Sequence, residues 1–335
     1  MKKIKISKIM ALGLAGLLTL TGCSTGGNTN TNTDTSAKNG ETKYTIGISQ
    51  LAEHPALDDA RRGFEDGLKE LGVEAEILYQ NAQGDIPNTI AISQKFVKDE
   101  VDLIYAIATP AAQSAKQTTT EIPVLFSAVT DPVKSEIVAD WENVGGNVTG
   151  TSDMADVQGQ LKMFKEIDPS VKTIGIIYNT SEANSEIQIA DVKKYAPEEG
   201  LTVETIGVSN INEIPQALDS LLGNVDALYA ISDNMIASSI ELVNKKLLEN
   251  NMISVGAEES QVGGGILITN GLSYYELGKQ TARMAKEILV DGKDVSSIPV
   301  GKAEKTTTVV NEKSLEALGL DKNLPIFKDA TMVGK

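Results

Sequence analysis

One cysteine, one histidine and one tryptophan serve all 335 residues, and each scarcity closes off a class of function. Cys23 has no partner in the chain, so no intramolecular disulfide can form and the folded part must rely on its core. His54 has neither a second histidine nor a spare cysteine beside it, which leaves no ordinary zinc site and no Cys–His pair. No serine or cysteine nucleophile motif accompanies His54 either, so a catalytic base is a poor reading of it. Phosphate-cradling glycine signatures are also missing. The turn after the first β-rich run reads Gly47-Ile-Ser-Gln-Leu-Ala rather than Gly-x-Gly-x-x-Gly, and no Gly-x-x-x-x-Gly-Lys-Ser/Thr run exists. Together these absences argue against an enzyme, a cofactor and a metal. Positive charge is short as well: 30 Lys and Arg against 46 Asp and Glu give −16 overall, with no basic stripe for a phosphate backbone, so nucleic acid is excluded as a partner.

Long apolar runs are confined to the start of the chain. Lys2, Lys3, Lys5 and Lys8 precede the apolar stretch from Ile9 to Leu20, which is short for a bilayer span and has the layout of a secretory signal peptide. Leu20-Thr21-Gly22 before Cys23 resembles the processing box of bacterial lipoproteins, in which the thiol carries the lipid and becomes the new N-terminus. Residues 1–22 are accordingly read as a lipoprotein signal and Cys23 as the lipid attachment site. Residues 23–43 are rich in Ser, Thr, Asn and Gly, a composition that cannot bury enough apolar surface to order itself, and read as a tether. The expectation is an extracytoplasmic monomer held to the cell membrane by lipid alone.

About 290 residues remain, more than one hydrophobic core ordinarily serves. β-rich runs alternate with amphipathic segments: Tyr44–Gln50, a helix from Pro55 to Gly72, Val73–Gln80, a helix from Pro87 to Glu100, then Asp102–Ala108. The first helix carries Leu57, Ala60, Phe64, Leu68 and Leu71 as one apolar stripe. This alternation predicts parallel sheets flanked by helices. The pattern also occurs twice. Val101-Asp-Leu-Ile-Tyr-Ala-Ile107 matches Val225-Asp-Ala-Leu-Tyr-Ala-Ile231 at five of seven positions, Ile46-Gly-Ile48 pairs with Ile174-Gly-Ile176, and Ile86-Pro87 with Ile214-Pro215. Three matches in one order predict two similar, doubly wound α/β lobes. Gly145-Gly146-Asn147 with Thr149-Gly150-Thr151, and Gly263-Gly264-Gly265 with Asn270-Gly271, read as the lobe boundaries. A further helix from Tyr274 and a β-rich run at Thr306–Val310 imply that the chain crosses between lobes repeatedly, so the expected lobes are residues 44–148 plus 271–304 and residues 149–270 plus 305–335.

Ligands of open parallel sheets bind beyond the strands' carboxyl ends. The residues there are Gln50, His54, Thr109, Ala128 and Thr130 in the first unit and Asn179, Ser181, Asn184, Ser232, Asp233, Asn234, Glu258 and Glu259 in the second. Thr109-Pro110 and Thr130-Asp131-Pro132 are each expected to open a helix, whose free N–H groups and dipole suit a carboxylate. Asp233 in the facing lobe could accept an ammonium, and an amino acid backbone carries both groups. Gln50 is expected to face the ligand, with His54 at the cleft mouth.

Ile46-Gly-Ile-Ser-Gln50, Glu53-His-Pro-Ala-Leu-Asp58, Ala60-Arg61, Gly63-Phe64 and Gly67-Leu68 resemble the start of ABC-transporter substrate-binding lipoproteins, a group that includes tryptophan/tyrosine-type binding proteins. The resemblance spans the chain after the tether. It implies the type I periplasmic-binding-protein fold with a multi-strand hinge, an amino acid ligand with aromatic ones such as tryptophan favoured, and delivery to ABC permease subunits. A more distant likeness to branched-chain amino acid binding proteins rests on Ala128 and Thr130 before Asp131-Pro132, and on the place of Asp233, although an aspartate stands there instead of a glutamate. The competing readings are a sugar or nucleoside receptor, for which Trp141 and five phenylalanines offer few stacking rings, a sensory binding lipoprotein, and a lipoprotein enzyme.

Overall fold

The structure, a computed structural model, describes residues 43–334; the expected signal, Cys23 and nearly all of the tether lie outside them. In chain order the first part contains β1 (Tyr44–Gln50), α1 (Pro55–Glu70), β2 (Ala75–Asn81), α2 (Ile86–Lys98), β3 (Leu103–Ile107), α3 (Thr109–Thr118), β4 (Val124–Val129) and β5 (Val148–Ser152). There follow α4 (Val157–Ile167), β6 (Thr173–Asn179), α5 (Ala183–Tyr195), β7 (Thr202–Val208), α6 (Ile214–Leu222), β8 (Ala227–Ala230), α7 (Asn234–Ala237), α8 (Ile240–Glu249), β9 (Ile253–Gly256), α9 (Glu259–Gly263) and β10 (Ile268–Gly271). The chain ends with α10 (Tyr274–Leu289), β11 (Gly301–Lys302), β12 (Thr307–Asn311), α11 (Glu312–Ala317) and β13 (Thr331–Val333).

Two sheets result, ordered β11-β5-β4-β3-β1-β2 and β13-β12-β10-β9-β8-β6-β7. All pairings in the first are parallel, and in the second only β10 with β12 is antiparallel. The lobes are therefore the two doubly wound units that the repeat implies. β1, β3 and α2 match β6, β8 and α6, and the repeated residues do the same work in each. Asp102 Oδ2 accepts the N–H of Thr45 at 2.7 Å, and Asp226 Oδ2 accepts that of Thr173 at 2.8 Å, so each aspartate ties its own strand to the start of the neighbouring one. The fully buried rings of Tyr105 and Tyr229 pack on Phe64, stacked at 4.0 Å, and on Phe164, edge-on at 6.2 Å. Gly47 and Gly175 clear space for Phe96 and Leu221, whose atoms a Cβ would meet at 2.6 and 3.0 Å.

The chain crosses between the sheets at residues 153–156, 272–273 and 303–306. Of the motifs read as boundaries, Asn270-Gly271 ends β10 beside the second crossing, and the others lie elsewhere. Gly145 and Gly146 sit in the loop before β5, and Gly263, Gly264 and Gly265 turn the chain between α9 and β10 inside the second lobe. Thr149-Gly150-Thr151 is part of β5, a strand of the first sheet, so the expected boundary at residue 148 falls at the start of that strand. Gly150 serves close approach: at φ +158° its missing Cβ would lie 2.2 Å from the Phe126 carbonyl oxygen. Thr130-Asp131-Pro132 likewise opens a turn and no helix. Ser135 N–H reaches Asp131 C=O at 2.9 Å, but Glu136 then adopts φ +58° and the helical path ends.

Candidate functional site

The strand ends of the two lobes face each other across a narrow cavity of about 10 Å³, roughly enough for one water. The first lobe supplies His54 and Ala56 at the start of α1 and Ala128 and Thr130 at the end of β4. From the second come Asn184, Ser232, Asp233, Asn234, Ala237, Glu258 and Gln261. Asp153 and Tyr274, at two of the crossings, complete the wall. Three of these side chains are carboxylates and none is Lys or Arg.

Each carboxylate is buried, and burial raises its pKa. Glu258 caps α9, accepting from Ser260 N–H at 2.5 Å, Ser260 Oγ at 2.7 Å and Gln261 N–H at 3.0 Å, and its pKa still rises to about 7. Asp233 caps α7 through Ile236 N–H at 2.9 Å, and its other oxygen takes Asn179 N–H and Ser185 Oγ, both at 2.7 Å. Desolvation first and neighbouring Glu182 second hold its proton on. Asp153 Oδ2 accepts the hydroxyl of Tyr274 at 2.5 Å, whereas its Oδ1 is buried without a partner. His54 Nε2 stands 3.2 Å from Asn234 Oδ1 across the cleft. Burial lowers the His54 pKa, outweighing that hydrogen bond and the charges of Glu182 and Asp58, so the ring is neutral with its proton on Nε2.

The structure brings eight of the thirteen strand-end residues onto the cavity's walls: His54, Ala128 and Thr130 from the first lobe, and Asn184, Ser232, Asp233, Asn234 and Glu258 from the second. Five stand off them, Glu259 among these, which lines a separate surface pocket. Gln50 is wholly buried behind the site, its amide N–H groups given to Ala52 C=O at 2.7 Å and Asp58 Oδ1 at 2.8 Å and its oxygen accepting from Arg61 Nε at 3.2 Å, so it cannot point at a ligand. Ser181 is exposed outside the cavity, with its N–H on Asn179 Oδ1. Asn179 bonds Glu182 at 3.1 Å and lines the groove at the cleft mouth beside Glu53 and Met235. Thr109 opens α3 but lies behind the wall, buried and with Oγ1 unpaired. Ala108 and Ala128, at the ends of β3 and β4, hold φ of +84° and +59°, conformations that cost an alanine about 1–3 kcal/mol each. Sequence reasoning did not place Asp153, Gln261, Ala56, Ala237 or Tyr274 in the site. Asp153 had a signal, since it directly follows the carboxyl end of β5, a strand that reads as a linker because of Gly150.

Two doubly wound lobes, crossed three times by the chain and shut on a polar cavity, define a two-lobed solute-binding protein. The chain belongs to the ABC transporter substrate binding protein family, whose model matches residues 45–333. It is 42% identical over 326 residues to the tyrosine-binding protein of Clostridioides difficile (strain R20291), which covers 95% of this chain and 94% of that one. Among solved structures, the ABC domain in complex with L-Trp from Streptococcus pneumonia is 34% identical, covering 87% of this chain and 100% of its own, with a TM-score of 0.83. The ligand-free, open structure of a substrate binding protein with adhesive properties from Clostridium difficile is 42% identical, covering 87% and 99%, with a TM-score of 0.67. Backbone agreement is thus better with the ligand-bound relative than with the more identical open one, which marks the lobe arrangement here as closed. Family membership makes the chain a binding protein and not an enzyme.

Proposed function

We propose that this chain is the lipid-anchored, extracytoplasmic receptor of an ABC importer, closing on an aromatic amino acid, tyrosine or tryptophan, and handing it to the permease. The observation that carries the ligand class is the inter-lobe cavity, with buried carboxylates on its wall and no Lys or Arg to oppose them. Such a wall selects a cationic group, and a buried polar group left unpaired costs about 1–3 kcal/mol. The backbone at the end of β4, at Ala128 and Thr130 on the wall, is the partner for the ligand's carboxylate. Ala56, Ala128 and Ala237 are the smallest side chains on the lining, where a ring meets least obstruction once the lobes part. The relatives named for tyrosine and bound to L-Trp support the aromatic choice. The leader before Cys23 supports the anchor, and the lobes are read as residues 44–152 plus 273–304 and 153–272 plus 305–335.

A thermal-shift screen of residues 44–335, stripped of carried-over ligand, against amino acids, sugars and nucleosides tests the reading. Tyrosine or tryptophan near 1,000 times its dissociation constant is expected to stabilise the protein by about 4 kcal/mol. A response to a sugar or nucleoside alone would replace the ligand class. The full-length chain made in a bacterium is expected to pellet with membranes, and a freely soluble one would remove the anchor.

A further inference from the structure

Three buried acceptors on the cavity's walls have no hydrogen-bond donor among the described residues: Asp153 Oδ1, Asn184 Oδ1 and His54 Nδ1. The histidine nitrogen is an acceptor because Asn234 Nδ2 is given to Glu182, which leaves Asn234 Oδ1 to receive the proton on His54 Nε2. Asn184 spends its amide N–H groups on Glu182 Oε2 at 3.1 Å and Ser232 C=O at 2.9 Å, so only its oxygen is left. An ammonium group brings three N–H donors and one positive charge. Asp153 supplies the single charge-bearing oxygen of the three.

The other acids are already engaged. Asp233 and Glu258 each receive three donors from their own lobe, and Glu182 receives Asn179 Nδ2, Asn184 Nδ2 and both nitrogens of Asn234. Asp153 alone keeps a buried, empty carboxylate oxygen on the wall, and it is 4% exposed. Its place in the chain adds a second role. Asp153 begins the first crossing and Tyr274 follows the second, so their hydrogen bond joins two of the hinge segments.

We propose that Asp153, aimed by Tyr274 and flanked by Asn184 and His54, is the residue that selects ligands bearing an amine, and that it does so from the hinge itself. The inference rests on reading the cleft as an amino acid site. An unpaired carboxylate in a closed cavity opposes closure until a cationic donor arrives, so a ligand without an amine pays that penalty and one with an amine relieves it. Asp233, the sequence's candidate for this role, becomes a structural cap that ties β6, α5 and α7 together.

Calorimetric titration of tyrosine and of 3-(4-hydroxyphenyl)propionate, its analogue without the amine, tests the assignment on wild type, Asp153→Asn and Tyr274→Phe. The wild type is expected to prefer tyrosine by roughly 100-fold or more, Asp153→Asn by less than about tenfold, and Tyr274→Phe by an intermediate factor. Asp153→Asn removes a buried carboxyl whose desolvation opposes folding, so its ligand-free melting temperature is expected to hold or rise, which a merely structural aspartate would not allow. Retention of the full preference in a folded Asp153→Asn protein, or an unfolded Asp153→Asn beside a Tyr274→Phe protein of undiminished preference, overturns the proposal while leaving the amino acid reading intact. A wild type that binds neither compound nor tryptophan overturns that reading, and the assignment with it.

Discussion

Glu258 shows how far burial can move a side chain that is well hydrogen-bonded. Its three donors favour the carboxylate, yet desolvation outweighs them and lifts the pKa from 4.5 to about 7. A carboxyl whose folded pKa lies above its unfolded one keeps a proton in the fold that the unfolded chain has already lost. Between about pH 4.5 and 7 the native state therefore binds more protons, stability falls as pH rises, and above about 7 the loss is complete. Asp233 works in the same direction. Glu258→Gln removes this titration and keeps the shape and one acceptor. The ligand-free variant is expected to gain in melting temperature relative to wild type from pH 5 to pH 8, and a difference flat across that range would show that Glu258 does not titrate there. The residue scale is also where the sequence is least legible. Position after a strand end can be read from the pattern, and it placed Asn184, Asp233 and Asn234 on the wall. Where each side chain spends its hydrogen bonds cannot, because the partners come from distant segments: Arg61 for Gln50, Ser185 for Asp233, Tyr274 for Asp153.

Among elements, the contact of α1 with α10 is the tightest in the first lobe and depends on glycine. A Cβ on Gly63 would lie 2.0 Å from the carbonyl oxygen of Tyr275, one on Gly278 2.1 Å from that of Ala60, and one on Gly67 2.7 Å from Ala282 Cβ. Helix backbones therefore touch, and α10, which arrives only after the chain has built most of the second lobe, is clamped onto the first. Overpacking of this kind costs about 1–3 kcal/mol, while alanine gains about 1 kcal/mol over glycine inside a helix. A backbone oxygen cannot rotate away as a side chain could, so the first effect wins. Gly63→Ala is expected to lower stability in chemical denaturation and to drop the melting temperature by several degrees. Gly223→Ala, at the end of α6 with φ −72° and nothing within 4 Å, should be neutral, and equal behaviour of the two would contradict the close contact. At this scale the sequence was largely legible. Apolar periodicity and the repeat give the strands, most helices and the two lobes, since both reflect which face is buried. The glycine clusters misled because a glycine marks a turn, a close approach or a hinge without saying which, as Gly63, Gly150 and Gly265 each illustrate.

For the whole molecule, the question is what holds the lobes shut. Away from the hinge, two polar links cross the cleft among the described residues: His54 with Asn234, and Lys134 Nζ with Asp191 Oδ1 at 3.3 Å. They differ in kind. The Lys134 side chain is half exposed and shared with Asp131 in its own lobe, which limits its contribution to about 0–1 kcal/mol and leaves it open to screening. His54 is buried, and removing it strands Asn234 Oδ1 without a donor. Apparent affinity scales with the fraction of molecules able to close, so each link should appear in the dissociation constant in proportion to its strength. Lys134→Ala is expected to weaken tyrosine or tryptophan binding less than about fivefold at low salt, with the difference gone near 1 M salt, where charges are screened within roughly 3 Å. His54→Ala should weaken it by roughly tenfold or more, at low and high salt alike, because a desolvated hydrogen bond is beyond the reach of counterions. Calorimetry of both variants at the two salt concentrations separates the links, and a large, salt-independent loss from Lys134→Ala would mean that the lobes close through the lip and not through the buried contact.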